Sequence, residues 1–233
     1  NPHYAWERMR ANGFQWWKER VHTQLTQFDL LRIDHFRGLE AYWEIPALAE
    51  TAVSGRWQQA PGDELFQALQ AQFGGLPLVA EDLGIITPEV EQLRDKHGFP
   101  GMKVLHFAFG GGADNPYLPH NHIPNAVVYT GTHDNNTTVG WFAELDQQSQ
   151  SHLFDYLGGG PAQMPDLLIR AAFASVARLA VIPMQDVLCL GGDDRMNRPG
   201  VADGNWRWRF RWDQVGARVA DHYRHLLDLY GRV

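Results

Sequence analysis

The chain has 233 residues, 44% of them hydrophobic and 20% charged, with a formal net charge of -7. That composition supports a buried core and excludes a disordered tail, and the acidic balance argues against a nucleic-acid partner, because phosphate binding needs clustered Lys and Arg. No apolar run approaches the ~18 residues of a membrane helix, and the single cysteine, Cys189, excludes an internal disulfide and fits a reducing, cytoplasmic compartment.

The sequence starts Asn1-Pro2-His3-Tyr4, with no Met and no signal-peptide pattern, so it is expected to begin inside a longer protein. Residues 13–27 predict a helix with Trp17, Val21 and Leu25 on one stripe. Phe28 to Ile33 predicts the first strand, ending at Asp34. Asp63 is expected to cap a helix that carries Leu65, Phe66, Leu69 and Phe73 at helical spacing. The second strand, Leu76 to Ala80, ends at Glu81. Thr87-Pro88-Glu89 then opens a helix with a cap, a proline at its first position and an early acid; Val90 and Leu93 face inward and Gly98 closes it.

Met102 to Phe109 predicts a third strand, followed by a loop over 110–125. The fourth strand, Ala126 to Thr130, leads into Thr132-His133-Asp134. A short Ala-rich helix over 166–176 precedes a fifth strand, Leu179 to Met184, which ends in Gln185-Asp186. Residues 191–205 read as a loop, rich in Gly, Asn and Asp. A last helix is expected from Asp213 to near Gly231, burying Val215, Val219, Tyr223 and Leu226.

Near-continuous apolar strands alternating with helices predict an α/β fold with a parallel sheet covered on both faces. An open doubly wound sheet and a closed barrel compete. No Gly-rich phosphate loop follows the first strand, and Gly110-Gly111-Gly112 reads as a flexible loop. Asp34, Glu81 and Asp134 each close a predicted strand, where β/α barrels place their catalytic groups. A full barrel has eight strands and typically about 250 residues. With about five βα units, the chain is expected to be the C-terminal part of a (β/α)8 barrel whose N-terminal strands are missing, with residues 1–233 all belonging to one catalytic domain.

Paired carboxylates cleave glycosidic bonds: one protonates the leaving oxygen, and the other attacks the anomeric carbon or activates water. In Arg32-Ile33-Asp34-His35-Phe36-Arg37-Gly38, alternation points Arg32 the same way as Asp34, and a guanidinium keeps a nucleophilic carboxylate ionised. A surface ion pair at a strand end is the bland alternative. Glu81 in Val79-Ala80-Glu81-Asp82-Leu83-Gly84 is expected to be the general acid, with Asp82 its rival. Asp134 would favour a positively charged transition state, and His35 and His133 would donate hydrogen bonds to sugar hydroxyls. His120-x-His122 is the one candidate for metal chemistry, and its spacing matches no zinc motif. Cys189 reads as a buried apolar residue.

These segments together resemble the 4-α-glucanotransferase (amylomaltase) family, relatives of the α-amylase clan. The resemblance also rests on Ala41-Tyr42-Trp43-Glu44-Ile45-Pro46, Pro100 to Leu105, Tyr129 to Thr137, Arg195-Met196-Asn197 and Gly204-Asn205-Trp206-Arg207-Trp208-Arg209. It implies a retaining double displacement with Asp34 as nucleophile, Glu81 as acid/base and Asp134 as transition-state stabiliser. It further implies that Arg32, His35, His133 and Asn197 contact sugar, that no metal or organic cofactor is needed, and that α-1,4-glucan oligosaccharides are the substrates. An α-glucan hydrolase and a non-catalytic glucan-binding piece are the alternatives. The family's N-terminal half is absent, so the piece alone is expected to be inactive. Asp193-Asp194 departs from the family's usual Glu-Ala.

Overall fold

The computed structural model describes residues 2–233, so Asn1 of the opening motif lies outside the described residues. The chain divides into two compact units, one ending at Met102 and the other running Lys103–Val233.

The first unit opens with α1 (Trp6–Ala11) and α2 (Gln15–Leu25). The helix expected over 13–27 is α2, slightly shorter at both ends; α1 was not foreseen, and Gly13 and Phe14, both at positive φ, separate the two. Trp17 and Val21 are buried as the stripe requires. β1 (Leu31–Ile33) is followed by a pair not foreseen from sequence, β2 (Ala41–Glu44) and β3 (Arg56–Gln59), which run antiparallel. Arg56-Trp57-Gln58-Gln59 carries no apolar alternation, which is why no strand was legible there.

Next come α3 (Gly62–Phe73), β4 (Leu78–Ala80) and α4 (Pro88–Lys96). Asp63 does not cap α3. It lies in the first turn behind Pro61, and its carboxylate instead accepts from Gln67, Lys96 and His97. Lys96 and His97 pull its pKa below the usual carboxylate range, against the opposing effect of burial. α4 matches expectation along its length, with Pro88 at its first position, Val90 and Leu93 buried and Gly98 at positive φ beyond its end; Thr87 sits at the cap position, but its side chain makes no cap hydrogen bond. The core gathers Phe36, Leu65, Phe66, Leu69, Leu78 and Phe99. Burying each stabilises the fold by roughly 1.5–3 kcal/mol before entropy is counted.

The chain passes between units within β5 (Gly101–Val104). The apolar run expected to continue as strand to Phe109 instead turns at Leu105–Phe107 in a 3-10 helix. Leu105, Ala108 and Phe109 are buried all the same, so the run records burial and not extension. The second unit continues with β6 (Ala126–Tyr129), α5 (Thr138–Glu144), α6 (Gln147–Leu157), α7 (Asp166–Ala174), β7 (Leu179–Val181), α8 (Met184–Val187) and α9 (Ala217–Leu229).

β6 and β7 are parallel, with Val127 opposite Leu179, in a sheet of order β5-β6-β7. β7 stops at Val181, short of the expected Met184, and Pro183 precedes α8. Proline has no N–H to extend a ladder. The last helix starts at Ala217, not Asp213, whose carboxylate pairs with Arg211 in a separate turn. Of its expected inward face, Leu226 is fully buried, and Val219 and Tyr223 are half-buried. Among the described residues no helix is long and apolar enough to cross a membrane.

Candidate active site

β1 and β4 pair in parallel with Ile33 opposite Ala80. The ladder continues past both ends: the Glu81 amide donates to the Ile33 carbonyl (3.0 Å), and the Phe36 amide donates to the Glu81 carbonyl (3.0 Å). Asp34 and Glu81 therefore leave adjacent strands side by side, at a strand spacing of about 4.8 Å. Arg32 Nη2 lies 2.8 Å from Asp34 Oδ1, the contact that alternation along the strand requires. Arg32 Nε is anchored on Met102 Sδ at 3.3 Å. The Asp34 side chain is 78% exposed, free for a ligand.

Glu81 is held by backbone. Its Oε2 accepts from the His35 amide at 2.6 Å and its Oε1 from the Leu83 amide at 3.1 Å. His35 presents that amide from a left-handed backbone, φ 49. A non-glycine residue held there costs roughly 1–3 kcal/mol and marks a locally imposed geometry. A cleft of about 240 Å³ runs beside Asp34 and His35 and is lined by His3, Tyr4, Trp6 and Tyr42.

Glu81 and its rival Asp82 differ in burial. Asp82 is buried, pairs with Arg94 and accepts from the Met102 amide at 2.7 Å. Burial opposes the Arg94 charge, but the hydrogen bonds it donates to Asp95 and Asp82 raise its pKa above the ordinary value. Gly101 leaves room for this carboxylate: a Cβ there would stand 2.2 Å from Asp82 Oδ2. Asp82 is thus a strut under the turn, and Glu81 faces out of it.

In the second unit, the turn after β6 carries His133 and Asp134. Asn197 Nδ2 donates to Asp134 Oδ1 at 2.6 Å, and His133 Nε2 lies 3.4 Å from Asp134 Oδ2. Arg195 Nη2 donates to the Asp134 carbonyl at 2.9 Å, and its Nε to the Asn197 carbonyl at 2.9 Å. Thr132 and Asn135 close the turn from within, through Asn135 Oδ1.

Trp206 was passed over as an individual in the sequence, yet its ring lies 5.1 Å from that of His133 and is 54% exposed. Its amide donates to the Met196 carbonyl, and its φ is 61. A bulky residue in the left-handed region is a genuine outlier, a signal only coordinates reveal.

His120 and His122 spend their ring nitrogens within the protein. Both ring nitrogens of each have protein partners: Tyr156 and the Ala113 carbonyl for His120, and Ser175 and the Tyr117 carbonyl for His122. Among the described residues no group of three or more His, Cys, Asp or Glu could hold a metal ion. Cys189, expected to be buried, is exposed and at positive φ, two residues past the end of α8.

The candidates therefore form two clusters. Arg32, Asp34, His35 and Glu81 lie together at the ends of β1 and β4; His133, Asp134 and Asn197 lie together after β6. Strand-end carboxylates flanked by cationic and amide donors are the equipment of acid, base or nucleophilic chemistry.

Comparison with known proteins points the same way. The family model described as 4-alpha-glucanotransferase matches residues 1–214. A 4-alpha-glucanotransferase of Synechocystis is 54% identical over all of this chain, which covers 46% of that protein. One of Thermus thermophilus is 52% identical over 90% of this chain and 43% of its own length. A solved amylomaltase from Streptococcus agalactiae in complex with acarbose superposes with a TM-score of 0.94 at 36% identity, covering 99% of this chain and 47% of that one. The chain belongs to the 4-alpha-glucanotransferase family. It spans less than half the length of these curated relatives.

Proposed function

We propose that the chain is the C-terminal part of a retaining 4-α-glucanotransferase and supplies its three catalytic carboxylates. Asp34 attacks the anomeric carbon of an α-1,4-glucan. Glu81 protonates the departing 4-oxygen, and a sugar–Asp34 ester forms. The 4-hydroxyl of an incoming sugar then attacks the same carbon, Glu81 takes its proton, and Asp34 leaves as a carboxylate. Asp134 offsets the positive charge of each transition state. Arg32, His35, His133 and Asn197 orient the sugar, and Trp206 offers it an apolar face. The mechanism needs no metal or organic cofactor.

The observation that carries this reading is the registered exit of Asp34 and Glu81 from adjacent parallel strands. Side chains leaving neighbouring strands can bring their carboxylates to the roughly 5–5.5 Å of a retaining pair. Parallel pairing of β1 with β4 and of β6 with β7, with acids at C-terminal ends, supports the (β/α)8 reading. So do Leu179 and Val181 on β7, which are 40% and 38% exposed and would be covered by the remainder of such a domain.

Incubating the full-length protein with maltotriose tests the proposal. A ladder of longer glucans is expected, whereas maltose and glucose alone would mean hydrolysis. Residues 1–233 alone are expected to give no products.

A further inference from the structure

Beneath the turn that carries Asp134 lies a buried carboxylate that the proposed chemistry does not use. Asp186 is 1% exposed. Its Oδ2 accepts from Thr130 Oγ1 at 2.6 Å and from Thr138 Oγ1 at 2.7 Å, and its Oδ1 accepts from the Thr138 amide at 2.7 Å. Thr130 is the last residue before the turn and Thr138 opens α5 after it. One side chain therefore grips both ends of residues 131–137, the segment holding His133, Asp134 and Asn135. We propose that Asp186 is a positioning residue for Asp134, clamping the two ends of its turn; this rests on the reading of Asp134 as transition-state stabiliser.

His106 completes the floor. Its amide donates to the Thr130 carbonyl at 3.1 Å, and its ring stacks on Trp141 at 4.5 Å. Burial lowers its pKa to about 3, so the ring is neutral. Thr138 Oγ1 gives its proton to Asp186, so His106 Nε2, 2.9 Å away, donates to Thr138. That leaves Nδ1 as a buried acceptor with no hydrogen-bond partner among the described residues. A Cβ on Gly131 would stand 2.6 Å from the ring, so the turn can rest on it only through glycine. Four side-chain types thus fix one short segment: a carboxylate at its ends, an imidazole below, and the Asn197 amide and Arg195 guanidinium above. Asp186 was legible in the sequence only as the residue after the fifth strand, because its partners lie 48 and 56 positions away.

The test uses the full-length protein. Thr130→Val cuts one arm of the clamp and keeps the side-chain shape, and Thr130→Ser restores the hydroxyl. With maltotriose, Thr130→Val is expected to lower kcat ~10–100-fold with KM within twofold, because a transition-state contact is misplaced and ground-state binding is not. Thr130→Ser is expected to recover most of kcat. In an Asp134→Ala background, Thr130→Val is expected to cause no further loss. If Thr130→Val does not accumulate as folded protein, the isosteric Asp186→Asn is read in the same way. The proposal is overturned by a folded Thr130→Val with kcat within twofold of the parent, by a loss confined to KM, or by an undiminished loss in the Asp134→Ala background. Near-normal kcat for Asp134→Ala alone would instead remove the stabiliser role on which the proposal rests.

Discussion

The two acid-bearing turns solve one problem with different materials. After β4, the outward carboxylate of Glu81 is gripped by backbone amides, and the buried carboxylate beneath it, Asp82, is neutralised by Arg94. After β6, the outward carboxylate of Asp134 is gripped by side chains, and the buried one beneath it, Asp186, is met by two hydroxyls and one amide. Burial raises the Asp186 pKa against the pull of those three donors, and no cation meets it in that network. An ion pair with its partner removed leaves a buried charge, whereas hydroxyl donors can turn to other acceptors. The first turn is thus the more costly to disturb, and the second depends more on geometry.

The largest expected effect lies at the nucleophile. Asp34→Asn in the full-length protein should lower kcat on maltotriose by at least ~1000-fold with the fold intact, since it removes the covalent step itself; near-normal turnover would withdraw the role of Asp34. A smaller effect sharpens the contrast between the struts. Asp82→Asn should cost about 3 kcal/mol in chemical unfolding, as expected for a broken buried pair. Asp186→Asn should cost less than that, and equal losses would erase the distinction drawn above. The smallest effect belongs to Trp206→Ala. Losing one stacking face, worth roughly 0.5–1.5 kcal/mol, should raise KM for maltotriose about three- to tenfold, and Trp206→Tyr should restore it. An unchanged KM would remove Trp206 from the sugar contacts.

The contrast also explains what could be read from sequence. Alternation placed Arg32 beside Asp34, because a two-residue period needs only local geometry. Apolar runs located β1, β4 and β6, and overshot at β5 and β7, where Leu105 and Pro183 turn a chain that stays partly or wholly buried. Of the pair β2 and β3, β3 was invisible because its residues are polar and largely surface-facing, and β2 because its four residues, Ala41–Glu44, are too few to stand out as an apolar run. Neighbouring carboxylates divide the same way. Glu81 was preferred to Asp82 on position alone, and what separates them physically is Arg94, twelve residues on. Asp186 and Trp206 act through partners remote in sequence or through a backbone angle, and neither leaves a local pattern.

The central claim is that Asp34 forms the sugar ester while Glu81 moves the proton. Its most direct test is to trap that ester. Full-length Glu81→Gln, given α-maltosyl fluoride, whose leaving group needs no protonation, should accumulate a covalent maltosyl adduct. Peptide mapping by mass spectrometry should find it on Asp34. An adduct on Asp134 or any other residue, or fluoride release at parental rates with no adduct at all, would contradict the account.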